Sequence, residues 1–192
     1  MRLSGARFDY LRLKLRALLL LVFGRREAAL AVFTEMLELA PLDAYALASR
    51  AHLRAQLGRR DEALEDARTL TRHHPQRSAA DWFNLAFLLD EAGLLDEAGP
   101  AFRRAVELDP KLDRAWYGLA LVLIRLRQTE AAIEALRRNT ELQPMSPYGW
   151  YQLARLHFDR DERDEARRII RHLNDFEPKV AAQLQRETGL AP

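Results

Sequence analysis

The sequence predicts an all-α fold of repeated, antiparallel helix pairs, and three features predict it. Trp82, Trp116 and Trp150 stand 34 residues apart, each followed at once by another aromatic, in the phrases DWFNLA, AWYGLA and GWYQLA. Prolines recur at Pro41, Pro75, Pro110, Pro144 and Pro178, and three of them close the near-identical phrases LELAP, VELDP and TELQP. Between these marks apolar residues fall at i, i+3, i+4 and i+7, which places them on one face of a helix. A fixed period of this length marks an array in which each unit buries its apolar face against the next.

The elements follow in order. Unit one, 10–43, carries Leu13, Ala17 and Leu20, then Gly24, then Ala29 and Phe33 before Pro41. Unit two, 44–77, repeats the register with Leu47, Ala51, Gly58, Ala63 and Pro75. In unit three, 79–112, a first stripe of Trp82, Leu85, Ala86 and Leu89 breaks at EAGLLDEA. There Gly93 can end one helix, and Asp96 with Glu97 favour the start of the next. A second stripe runs through Ala98, Phe102, Ala105 and Val106 until Pro110 stops it.

Unit four, 113–146, repeats this with Trp116, Leu119, Ala120, Leu123, Ala132, Leu136 and Pro144. Unit five, 147–180, does so with Trp150, Leu153, Ala154, Ala166, Ile170 and Pro178, although His157 takes the large apolar slot. KVAAQLQRE predicts a capping helix over about 179–188, since the last unit of an array needs a cover. Residues 1–9 are expected to be a short or disordered lead-in. Arg16 and Arg50 stand where later units have leucine. Arg50 is expected to pair with Asp66 on its partner helix, whereas no equivalent acid faces Arg16.

These residues closely resemble the tetratricopeptide repeat, and the resemblance covers residues 10–178. It implies a right-handed superhelical solenoid, a single domain over 10–192 whose first helices line a concave face. On that reading the groove is lined by Tyr45, Ala48 and His52 in unit two and by Phe83, Asn84 and Phe87 in unit three. Unit four adds Arg114, Tyr117 and Leu121, and unit five adds Tyr148, Tyr151, Arg155 and Phe158. Aromatics exposed on a concave surface offer contact area at low entropic cost, so a peptide-binding groove is expected. The alternative is that neighbouring repeats or the capping helix cover several of these rings. Some members of the family clamp a chaperone's terminal carboxylate with lysine, asparagine and arginine. Here only Asn84 and Arg114 fit in part, so an apolar or amphipathic peptide is the expected ligand.

Charge is unevenly spread although the net value is only +2. Residues 1–26 carry seven bases against Asp9, a net +6, while residues 79–110 carry seven acids against Arg103 and Arg104, a net −5. This polarity can steer partners or self-association. Nucleic-acid binding is not expected, because the bases gather at one end and do not alternate with aromatics. The first helix is apolar nearly all round, with Leu11, Leu15, Leu18, Leu19, Leu21 and Val22 supplementing its inward residues. A helix of this kind is usually buried. Leu11, Leu15, Leu18, Leu21 and Val22 are therefore a candidate dimer or partner surface, with a homodimer through 10–23, another protein or a membrane surface as the cover.

The run Ala17–Phe23 is far shorter than a membrane span, and GRREAALAVF follows it in place of a small-residue cleavage site. A cytoplasmic protein is expected. Arginine greatly outnumbers lysine, as in the proteins of GC-rich bacteria.

There is no cysteine, and no phosphate loop, GxSxG or HExxH motif. His73 and His74 are adjacent and cannot chelate as an i, i+4 pair would; a place at a helix end is expected. DRDERDE at 159–165 lacks the glycine and ligand spacing of a calcium loop and reads as a solvated turn. No enzyme, cofactor or metal is expected. The leading expectation is a scaffold or adaptor gripping a partner's peptide or helix. The alternative is a secretion-type chaperone that dimerises through its first helix and holds an export substrate.

Overall fold

The computed structural model describes residues 3–190. Among them are eleven α-helices and no strand: α1 (Leu3–Val22), α2 (Arg26–Leu39), α3 (Ala44–Gln56), α4 (Arg60–His73), α5 (Ala79–Glu91), α6 (Leu95–Leu108), α7 (Asp113–Arg125), α8 (Thr129–Leu142), α9 (Pro147–Asp159), α10 (Arg163–Phe176) and α11 (Pro178–Thr188). They fall into two compact units, Met1–Ala92 and Gly93–Pro192. In the first, α1 packs on α2, α2 on α3, α3 on α4 and α4 on α5; in the second, α6 packs on α7, and the succession continues to α11.

One backbone device turns each first helix into its partner. The chain leaves the first helix through a left-handed residue at Gly24, Gly58 and Gly93, with φ of 69°, 77° and 75°. Glycine enters that region without a Cβ clash. In the last two pairs the same place falls to Arg127 and Asp161, at φ 58° and 61°. Asp43 starts α3 by accepting a hydrogen bond from the Ala46 N–H at 2.8 Å, and Ser78 starts α5 through the Ala80 N–H at 3.0 Å.

The core of the first unit gathers Leu13, Ala17, Phe33, Met36, Leu47 and Leu53. That of the second includes Phe102, Leu123, Leu136, Ile170, Leu173 and Leu184, all essentially without exposed surface. The tryptophans, which head the apolar stripes of their repeats, are half-buried. Each indole N–H donates to the carbonyl of the proline that closes the preceding repeat: Trp82 to Pro75, Trp116 to Pro110 and Trp150 to Pro144, all at 2.9 Å. Trp150 also sets its ring edge-to-face against His172 of α10, with centroids 4.6 Å apart.

The expected pairing of Arg50 is present. Its Nε and Nη2 donate to the two oxygens of Asp66 at 2.9 and 2.7 Å, and Arg54 Nη1 donates to the same carboxylate at 2.6 Å. Arg16, for which the sequence offers no obvious acid, meets Glu35 of α2 at 3.4 Å on the surface. His74 follows the end of α4 and bonds the Leu42 carbonyl at 2.7 Å. The acidic and basic residues of 159–165 pair on the surface, as Arg160 does with Glu162 and Arg163 with Asp161.

The lead-in expected over 1–9 is helical from Leu3 onward, as the opening turns of α1. Met1 and Arg2 lie outside the described residues. Among the described side chains of α1, Leu13 and Ala17 are buried, while Leu11, Leu15, Leu18, Leu19 and Val22 are exposed. Leu21 is not among them. It packs against the core of its own unit, so its part in the expected docking face is corrected.

Candidate functional site

The first helices carry most of the candidate residues at the second, fifth and ninth positions of their repeats, one or two turns apart on one side, with Asn84 at the sixth position and Phe158 at the twelfth. None of the thirteen is fully buried. The reason is geometric. Small residues at the third position, such as Ala46, Ala115 and Gly149, turn inward, which leaves the second and fifth positions at the border of the packed face.

In the first unit these positions lie in different surroundings. Tyr45 is half-buried, packs edge-to-face on the buried Phe33 with centroids 5.9 Å apart, and lies beneath the Lys14 ammonium at 4.2 Å. His52 is exposed and shares a hydrogen bond with Gln56 at 2.9 Å. Phe83 is half-buried, while Asn84 and Phe87 are exposed.

In the second unit the structure brings three of the candidates together. Tyr117 of α7 and Tyr148 and Tyr151 of α9 line an open pocket of about 290 Å³, with Pro147, Gln152, Val180 and Gln183 completing its wall. Tyr148 is the most open of them, 68% exposed. Burial raises the pKa of Tyr117 above the ordinary phenol value, with the hydrogen bond to Gln152 acting in the opposite sense. Arg114 and Phe158 lie outside the lining, as do Leu121 and Arg155.

Tyr151 is not free in a groove as its sequence position suggests. Its hydroxyl donates to Glu187 of α11 at 2.6 Å, and Arg155 Nη1 reaches the same carboxylate oxygen at 3.0 Å. Gln183 donates to the other oxygen of Glu187 at 2.8 Å. The Tyr151 hydroxyl, ahead of Gln183 and Arg155, holds the Glu187 carboxyl below the usual glutamate range. The same bond, together with burial, pushes the Tyr151 hydroxyl up. The capping helix thus covers one flank of the aromatic site, the alternative that the sequence left open.

His157, in the slot that other repeats give to leucine, is buried and satisfied through its Nδ1 by Glu162. Among the described residues no cluster of histidine and carboxylates could hold a metal ion, and no helix is long and apolar enough to cross a membrane.

Two family models described as tetratricopeptide repeat match the chain, one over residues 48–113 and one over 89–151. The eleven helices agree with them, as five pairs and a final helix. The chain is a tetratricopeptide repeat protein.

Its fold is shared with several solved structures. MamA protein matches with a TM-score of 0.80 over 98% of each chain at 17% identity. YrrB, described as a TPR protein with an unusual peptide-binding site, matches with a TM-score of 0.79 over 88% of each chain at 21% identity. A tetratricopeptide repeat protein from Parabacteroides merdae reaches 0.79 at 21% identity, over 94% of this chain and 73% of its own. No curated protein matches in sequence.

Within this tetratricopeptide repeat protein, the pocket residues with the weakest sequence signal are Gln152, Val180 and Gln183. Gln152 simply follows Tyr151. Val180 and Gln183, with Glu187, share a face of α11 other than the one that buries Ala181 and Leu184. That i, i+3, i+7 spacing is the one local clue that the capping helix turns a mixed face toward the tyrosines.

Proposed function

We propose that the protein is a non-enzymatic interaction scaffold that holds a peptide or helix of a partner protein against Tyr117, Tyr148 and Tyr151. The observation that carries this reading is the convergence of three tyrosines from two helices on one open pocket. Tyrosine is suited to such a place. It supplies a large rigid face and a polar tip at the entropic cost of two torsions. The wall is mostly ring and aliphatic surface, with the amides of Gln152 and Gln183 as the polar members. An apolar or aromatic side chain of the ligand would enter, with its backbone hydrogen-bonded to those amides. The occurrence of a peptide-binding site in YrrB, a protein of similar fold, supports a peptide as ligand.

The test is selection from a displayed peptide library against the full chain, followed by titration of the selected peptide. Tyr148→Ala is expected to weaken binding by about tenfold or more, the effect of losing one central aromatic anchor. The same variant is expected to melt within about 2 °C of the parent, because this ring is largely outside the core. Undiminished affinity in Tyr148→Ala, or selected peptides indifferent to Tyr117→Ala as well, would place the binding surface elsewhere.

A further inference from the structure

The face of α1 turned away from its own core is the face that the other first helices use to receive a second helix from the preceding repeat. The glycines show which positions these are. A Cβ on Gly149, third in its repeat, would strike Asn139 and Thr140 of α8, and one on Gly118, sixth in its repeat, would strike Phe102 of α6. Gly99 of α6 in turn lies against Val122, tenth in the same repeat as Gly118. The third position is buried in α3, α5, α7 and α9, as Ala46, Asp81, Ala115 and Gly149; so is the tenth, as Leu53, Leu88, Val122 and Leu156.

In α1 these positions are open. The third is Arg12 and exposed; the sixth is Leu15, 60% exposed; the tenth is Leu19, 52% exposed. Val22, one turn further along, is 80% exposed. A helix face left open to solvent is ordinarily polar. Here three apolar side chains follow one another at helical spacing with a cation at their head. Among the described residues, the counter-charge to Arg12 is Asp9, 3.9 Å away and itself on the surface.

We propose that α1 docks an amphipathic helix of another protein, one with an acidic flank, in the seat that a preceding second helix takes in every later repeat seen to have one. The second helices of this chain are each 14 residues long, and a partner segment of that length covers Arg12 to Val22. Its small or branched apolar residues lie on Leu15, Leu19 and Val22, and its carboxylate meets Arg12. A second copy of the chain fits poorly. Its α2, α4 and α8 already lie between two first helices and its α10 between α9 and α11, and two α1 faces laid together bring the like charges of the two Arg12 side chains to one interface.

The experiment uses the full chain and two designed helical peptides of about 21 residues with the same leucine seam, one flanked by glutamate and the other by lysine. Fluorescence anisotropy is expected to show the glutamate peptide binding about tenfold more tightly than the lysine peptide. Arg12→Glu should reverse that preference, and Leu15→Glu with Leu19→Glu should abolish binding of both. These side chains are exposed, so far-UV circular dichroism of the variants should match the parent. The proposal is overturned if neither peptide binds, if both bind alike, or if Arg12→Glu leaves the preference unchanged. It is equally overturned by a dimer in light scattering that Leu19→Glu dissolves, or by sedimentation with phosphatidylglycerol vesicles that Leu19→Glu removes while the glutamate peptide fails to compete.

Discussion

The indole N–H of Trp150 donates to the carbonyl oxygen of Pro144 at 2.9 Å, joining the start of one repeat to the loop that closes the one before. Trp116 with Pro110 and Trp82 with Pro75 repeat the bond at the same length. The two most regular signals in the sequence, spaced tryptophans and spaced prolines, are therefore two ends of one contact. A proline suits the accepting end: it stops the preceding helix, and its carbonyl remains free to accept.

Trp150→Phe keeps much of the ring and removes the donor. Because the Pro144 carbonyl is exposed and can turn to water, the expected loss is about 1 kcal/mol in urea unfolding. Trp150→Ala also gives up the edge contact with His172 and is expected to cost about 2 to 3 kcal/mol, below the range for a fully buried aromatic. Equal losses for the two variants would mean that the bond, and not the ring packing, carries the whole contribution.

Asp66 serves two arginines, so its removal and theirs are not equivalent. The side chains of Arg50 and Asp66 retain only 16% and 5% of their exposure. Asp66→Ala leaves both Arg50 and Arg54 without their common carboxylate and is expected to cost about 3 to 5 kcal/mol. Arg50→Leu, which installs the residue that later repeats carry at this position, leaves Asp66 bonded to Arg54 and should cost far less. Denaturant midpoints of the two variants check the order.

The left-handed turns give a pair of opposite effects. Arg127 holds φ at 58° where three other repeats use glycine, so Arg127→Gly is expected to stabilise by up to about 1 kcal/mol. Gly93→Ala places a Cβ at φ 75° and is expected to destabilise by about 1 to 2 kcal/mol, although nothing lies within 4 Å to obstruct it. Thermal melts of both variants distinguish backbone strain from side-chain crowding.

Burial, and then the hydrogen bond to Asp43 at 2.9 Å, push the Tyr10 hydroxyl up from 10.0 to about 12. The folded state thus keeps a proton that the unfolded chain releases first. This contribution to stability is fully present below about pH 10 and is lost as pH rises toward 12. Tyrosinate absorbance should show a late-titrating component that Tyr10→Phe removes. At the other end of the scale, the lowered pKa of Glu187 makes its share in docking α11 present above about 4.5 and lost as pH falls through the folded value. Glu187→Gln should flatten that acid limb.

Local pattern was enough to read the helix pairs, because a period of 34 and a 3.6-residue stripe are properties of neighbouring letters. It also served for Arg50 and Asp66, which sit at matching heights on the two helices of one repeat. It failed where the deciding contact comes from further along the chain. Tyr151 is tied to Glu187, 36 residues away, and nothing near Tyr151 announces that bond. The tryptophans misled in another way: a large ring at an inward-leaning position still leaves surface exposed when its polar edge has a carbonyl to meet.

The central claim is that Tyr117, Tyr148 and Tyr151 form a binding surface for a peptide of another protein. The most direct measurement follows the ring resonances of the five tyrosines and the methyls of Val180 by NMR while the selected peptide is added. The account predicts shifts and intermolecular contacts at Tyr117, Tyr148, Tyr151 and Val180, with Tyr10 and Tyr45 unmoved. Saturable binding that leaves the three rings unshifted, or that moves Tyr45 and residues of α1 in their place, would contradict it.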